Sequence, residues 1–188
     1  LHSAILRCWP EGVKYLLDAG ANANVMTGDH GDAVSLTVLT TAWGLSGNEN
    51  APAILKLLFE HGAAATWKYP NGYTALMHAA GTDDTVILET LLDAGADPNV
   101  VSDNGATAFG AAVGSNSVNA ARFLINRKAC RLEAEAATGR VPLHHAVMGG
   151  SLPMVEAVLT VTPDQNAVDS LGYTPLDMAL RYGHQHVR

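Results

Sequence analysis

Positive charge is scarce in this sequence: 11 Lys and Arg stand against 18 Asp and Glu, a formal net charge of −7 over 188 residues. No run of basic residues occurs, which argues against nucleic acid or an anionic membrane surface as partner. Cysteine is nearly absent. The two present, Cys8 and Cys130, form no disulfide framework and no CxxC pair, so a reducing compartment, cytoplasmic by default, is expected, with the two thiols free and far apart. Long apolar runs are missing as well. Nothing approaches the ~18 consecutive apolar residues of a membrane span, and no basic start followed by a short apolar stretch marks a leader. Residue 1 is Leu rather than Met, so the sequence is read as starting inside a longer polypeptide.

Catalytic signatures are lacking too. There is no G-x-S-x-G, H-E-x-x-H, phosphate loop or dinucleotide fingerprint, so no catalytic residue, cofactor or metal is expected. Eight histidines raise the question of a metal site. His144 and His145 are adjacent and on a helix point about 100° apart, so they do not chelate one ion together. His184 and His186, two apart, face different sides of a helix. The pair Asp83-Asp84 reads as a helix N-cap rather than an acid–base pair.

What the sequence does have is 48% hydrophobic residues, enough for a core, and a period. Leu76, Phe109, Leu143 and Leu176 recur every 33 or 34 residues. Around them stand Thr74-Ala-Leu-Met-His-Ala79, Thr107-Ala-Phe-Gly-Ala-Ala112, Val141-Pro-Leu-His-His-Ala146 and Thr174-Pro-Leu-Asp-Met-Ala179. A second apolar helix follows each, as in Leu91-Leu92-Asp-Ala-Gly95-Ala-Asp97, with further copies ending at Gly20 and Gly62. Pro142 and Pro175 suit the first turn of a helix, and the Gly at 20, 62 and 95 suits a left-handed helix end. Gly72, Gly105, Gly139 and Gly172 suit a tight hairpin turn. First helices carry Ala79-Ala80 and Ala111-Ala112, second helices Val86, Ile87, Leu91 and Leu92. Small against large lets helix pairs stack into one core.

These segments resemble the T-P-L-H-x-A signature and 33-residue period of the ankyrin repeat family. The resemblance covers essentially the whole chain and implies an all-α solenoid of helix pairs with short projecting hairpins and no β-sheet of consequence. One domain over 1–188 is expected, in repeats of about 1–25, 26–66, 67–99, 100–132, 133–166 and 167–188, the first and last incomplete. Lys128 and Thr162 replace the helix-ending Gly and should strain or reshape those ends. The second repeat holds extra residues, shared between 27–33 and 44–52, with Leu36 and Leu39 both candidates for the periodic leucine and Ala42 favouring Leu39. His2 and His144 match the signature His, which in the family bonds within and between hairpins.

For function the resemblance implies a non-catalytic module that binds another protein on its concave hairpin and inner-helix surface. On that surface the candidate contacts are Asn71, Tyr73, Asp103, Asn104, Arg140, His145, Met148, Tyr173 and Tyr182, with Tyr and Arg as the usual anchors. The alternatives are an accessory subunit embedded in a large assembly, held by its ends and by the insertion of residues 43–52, and a regulatory domain attached to an enzyme outside this segment. Leu91, Asp97 and Asn99 are spaced as in ankyrin segments modified by asparaginyl hydroxylases, which makes Asn99 a candidate for modification. Capping of the turn is the plainer role.

Overall fold

The chain's helices start where a hydroxyl or a proline tells them to. In the computed structural model, which describes residues 1–24, 26–27, 34–35, 45, 47–69, 71–129, 138–162 and 164–184, the Thr74 hydroxyl accepts the Met77 N–H at 3.2 Å. Thr107 does the same for Gly110 at 3.0 Å. Thr174 caps Asp177, whose carboxylate takes the Thr174 N–H in return, a reciprocal capping box. Val141 has no hydroxyl to offer. Its N–H is instead taken by Nδ1 of His144 at 3.2 Å, and Pro142 presets the first helical turn.

The elements in order are α1 (His2–Leu6), α2 (Pro10–Asp18), β1 (Met26–Thr27), β2 (Val34–Ser35) and α3 (Ala51–Glu60). There follow α4 (Ala75–Gly81), α5 (Thr85–Asp93), α6 (Ala108–Gly114), α7 (Val118–Asn126), α8 (Pro142–Gly149), α9 (Leu152–Leu159) and α10 (Pro175–Arg181). β1 and β2 pair antiparallel over two residues each, and one isolated bridge joins Lys68 to Thr74. The all-α architecture expected from the sequence is therefore the one found, its strands confined to hairpins. The register of the second repeat at Leu36, Leu39 and Ala42 lies outside the described residues, as do Cys130 and His186.

Helices pack in two rows. α4, α6, α8 and α10 stack as an inner row, while α2, α3, α5, α7 and α9 stack as an outer row. Each inner helix from α4 to α8 also packs on the outer helix that follows it. Ala79, Ala80, Ala112, Ala146 and Ala179 are buried where inner helices meet, and their small side chains permit the close approach. Ile54, Leu55, Leu58, Ile87, Leu88, Leu91 and Leu124 fill the space from the outer row. Val86, grouped by sequence with this bulky set, instead faces solvent. It lies in the first turn of α5, one residue off the stripe formed by Ile87, Leu88 and Leu91.

Capping also runs between repeats. Asp84 caps its own helix through Ile87, as the sequence suggested, and its second oxygen takes the Gly47 N–H at 3.0 Å. Asp83 does something the sequence did not show: its carboxylate takes the Ala120 N–H at 2.7 Å and the Asn119 amide at 2.8 Å. It thereby caps α7 of the next repeat, while Ser117, the local cap residue, donates its hydroxyl to the Gly81 carbonyl. Asp83 holds this reach with φ at 61°, a left-handed backbone.

Lys128 shows the strain its sequence position implied. It adopts φ of 51° where Gly20, Gly62 and Gly95 hold equivalent left-handed turns. A Cβ in that region costs about 1–2 kcal/mol, against a smaller entropic penalty for glycine. Lys128→Gly is therefore expected to stabilise the chain by about 1 kcal/mol, measurable as a higher urea midpoint at unchanged slope. Thr162 takes the other course. The helix ends early at Leu159, and both the amide and the hydroxyl of Thr162 donate to the Val158 carbonyl.

Candidate interaction surface

Successive hairpins lean on one another, which fixes how their tips project. The Asn71 carbonyl accepts the Asp103 N–H at 2.9 Å, and one repeat pair later Thr138 accepts Ser170 in the same way. Gly72 makes the first contact possible: it holds φ of 75°, and a Cβ there would sit 3.0 Å from the Ser102 Cα. Asn71 and Asn104 are exposed at the tips, their side-chain oxygens turned back on Tyr73 and Ala106 N–H groups. Asp103 is exposed beside them.

Tyr173 is the centre of the best-connected part of this surface. Its N–H donates to Oδ1 of Asp169 at 3.0 Å, its carbonyl accepts Nε2 of His144 at 2.9 Å, and its ring lies 5.3 Å from the Arg181 guanidinium. Since Nδ1 of His144 accepts from Val141, the ring proton sits on Nε2. His144 thus bonds within its own hairpin and to the next, as the resemblance implied, whereas Nδ1 of His2 is buried without a partner among the described residues. Asp169 is 1% exposed and is paired at its other oxygen with Nε of Arg140 at 3.4 Å.

The candidate contacts differ in how free their side chains are. Tyr73 and Tyr173 are not free surface side chains: both are half-buried and packed against the core, and burial pushes the Tyr73 hydroxyl pKa upward. A change at Tyr73 therefore affects stability more than a surface substitution would. Arg140 is likewise engaged, by the buried Asp169, so removing Arg140 and Tyr173 together would disturb the fold and not only a partner. His145 and Met148 are half-buried on α8, and Tyr182 is 48% exposed just after α10. Sequence reasoning missed Asp169 and Arg181, and it read Asp83 as a cap without showing that the helix it caps is that of the next repeat. Only Arg181 left a trace, as the charged member of the inner-helix position otherwise held by Gly81, Gly114 and Met148.

Asn99 is half-buried, with its N–H on Oδ1 of Asp97 at 2.9 Å and its own Oδ1 buried without a partner among the described residues. Asn24 and Asn166 form the same local turn on Asn22 and Asp164. Asn24 goes further and bonds Gly62 and Ala64 in the next repeat. His184 is structural, its ring lying on Gly150 and its Nε2 on the Met148 carbonyl at 3.1 Å. No group of metal-ligating side chains occurs among the described residues, and no described helix is long and apolar enough to cross a membrane.

The Asp169 network makes stability depend on acid pH. The Tyr173 N–H first, then the Leu171 N–H and the Arg140 guanidinium, hold its carboxyl below the ordinary value of 3.8, against the upward push of burial. A carboxyl with a depressed folded pKa stabilises the fold above its unfolded pKa, and that contribution is lost as pH falls through the folded one. Melting temperature should therefore drop as pH falls below about 4, and the drop should be smaller in Asp169→Asn.

Two rows of stacked helix pairs, with hairpins projecting from one edge, define a helical-repeat protein. Residues 42–136 and 128–188 match the family described as ankyrin repeats (3 copies). The chain belongs to the ankyrin repeat family. It is 34% identical over 118 residues to the tyrosine-protein kinase HTK16 of Hydra vulgaris, covering 62% of this chain and 16% of that protein. It is 33% identical over 132 residues to human neurogenic locus notch homolog protein 1, covering 70% of this chain and 5% of the relative. With the ankyrin repeat protein nuc-2 of Neurospora crassa it shares 30% identity over 139 residues, 71% of this chain and 12% of the other. The chain thus spans a small part of the length of each of these relatives. Ankyrin repeats are in general modules for binding other proteins.

Proposed function

We propose that this chain is a non-catalytic protein-binding module whose contact surface is the side of the inner helices left open by the stack, together with the hairpin tips. The observation that carries the reading is geometric. α6 is covered by α4 and α8 on its flanks and by α7 behind. Gly110 and Gly114 nevertheless remain exposed on it, and a Cβ on Gly114 would meet nothing within 4 Å. That leaves a floor without side chains at positions 110 and 114 of α6. The second reading, a regulatory domain attached to an enzyme, is favoured by one finding: a tyrosine-protein kinase carries a matching segment. Both readings require a protein partner.

Gly114→Gln tests the surface, because it plants a side chain on the floor at a position that contributes nothing to the core. Gly114 is the last residue of α6 and has no left-handed backbone, so a better helix former there should keep stability or raise it slightly, by less than about 0.5 kcal/mol. Paired with Tyr182→Ala, it should weaken partner binding by about 2 kcal/mol or more while the fold is kept. Unchanged affinity in the folded double variant would favour an embedded subunit held by other surfaces.

A further inference from the structure

Acidic side chains are distributed unevenly over this acidic chain. Among the described residues the helices of the inner row, with α1, carry one carboxylate, Asp177, while α2, α3, α5 and α9 carry Glu11, Asp18, Glu60, Glu89, Asp93 and Glu156. Asp177 is exposed, with one of its oxygens accepting both the N–H and the hydroxyl of Thr174. On the neighbouring hairpin, Asp169 is buried and its two oxygens are occupied by Tyr173, Leu171 and Arg140.

The arginines beside them are less fully used. Arg181 is exposed and forms no ion pair among the described residues; its guanidinium lies over the Tyr173 ring and donates one N–H to the Tyr173 hydroxyl at 3.2 Å. Arg140 reaches Asp169 through Nε, and its terminal nitrogens form no hydrogen bond among the described residues. Both arginines are tied to the same residue, one through the Tyr173 ring and one through the carboxylate that accepts the Tyr173 N–H. A guanidinium laid on an aromatic face is held in place before any ligand arrives, with donors left in a planar fork that matches a carboxylate. Tyr182, 48% exposed next to Arg181, adds an aromatic surface for an apolar neighbour.

Resting on the binding reading above, we propose that the C-terminal end of the open surface, built on Arg181, Tyr173, Arg140 and Tyr182, takes an acidic segment of the partner protein, with an Asp or Glu carboxylate on the Arg181 fork and an apolar side chain beside Tyr182. Charge complementarity at this end selects the partner, and the neutral floor at Gly110 and Gly114 admits the rest of the segment.

A random-peptide display library panned on the purified chain tests this, with Arg181→Glu and Gly114→Gln panned in parallel after both are shown to keep the wild-type melting temperature or exceed it. The wild type should select segments rich in Asp and Glu beside an apolar residue, and Arg181→Glu should lose them or turn to Lys and Arg. A synthetic peptide of the selected sequence should bind Arg181→Ala about tenfold more weakly and should lose affinity with added salt. Selection of segments without acidic bias that Gly114→Gln abolishes would overturn the acidic partner and leave the open surface standing. Acidic segments selected equally by Arg181→Glu, or no selection at all, would also overturn it. So would about tenfold tighter binding of a peptide with phosphoserine in place of the selected Glu, which would assign the site to phosphate.

Discussion

Leu91→Ala should cost about 2–5 kcal/mol of stability, the range for deleting a buried leucine side chain. Leu91 has no exposed surface and lies on α5, packed between α3 and α7 in the outer row and against α4 behind. Its neighbours belong to separate helices that are held by their own contacts, so the space it vacates is not expected to close fully. In a stack where each repeat touches only its neighbours, weakening a central interface also loosens the coupling between the two ends. Val86→Ala on the same helix, 55% exposed, should change stability by less than about 0.5 kcal/mol. Urea denaturation followed by circular dichroism compares the two. Equal losses would mean that the buried and exposed sides of α5 are wrongly assigned.

His144→Ala should be nearly as damaging, by about 2–4 kcal/mol, through a different cause. The imidazole is fully buried, and its loss strands two backbone groups, the Val141 N–H and the Tyr173 carbonyl, besides leaving a cavity. Apart from His2 in the first repeat, the other described repeats place Met77, Gly110 and Asp177 at this signature position, and none of these three supplies the same tie. Because the tie joins α8 to the last hairpin, the effect should be local as well as global. Amide hydrogen exchange at residues 169–173 should accelerate in the variant more than exchange in α4 or α5. His144→Gln, which keeps one donor and one acceptor, should recover part of the stability. A variant as stable as wild type would show that the two hydrogen bonds contribute nothing.

The repeat architecture was legible because its rules are local. A Thr three residues before an N–H it caps, a Pro in a first turn and an alanine pair at a helix crossing each act over a few residues, and they recur with the period. The strained end at Lys128 was legible for the same reason, since a missing glycine is visible in an otherwise regular column. Arg140 and Asp169 are 29 residues apart, Asp83 and Ala120 are 37 apart, and they meet only once the stack exists. Nothing in the residues flanking Asp83 distinguishes a cap for its own helix from a cap for the next one. The candidate contacts suffered from this most. Tyr73, Arg140 and Tyr173 were chosen as side chains at projecting turns, but Tyr73 and Tyr173 pack partly against the core and Arg140 reaches Asp169 of the next repeat, which the composition of a single hairpin cannot reveal. Tyr182 escapes because it follows the last described inner helix and remains exposed.

Site-directed photo-cross-linking in the presence of the bound partner tests the binding surface most directly. A photoreactive residue at Gly114 or Tyr182 on the inner side, or at Val86 or Leu159 on the outer helices, reports which side the partner touches. Adducts from Gly114 and Tyr182 with none from Val86 and Leu159 are the expected result. Adducts from Val86 and Leu159 alone would contradict it and place the partner on the outer helices.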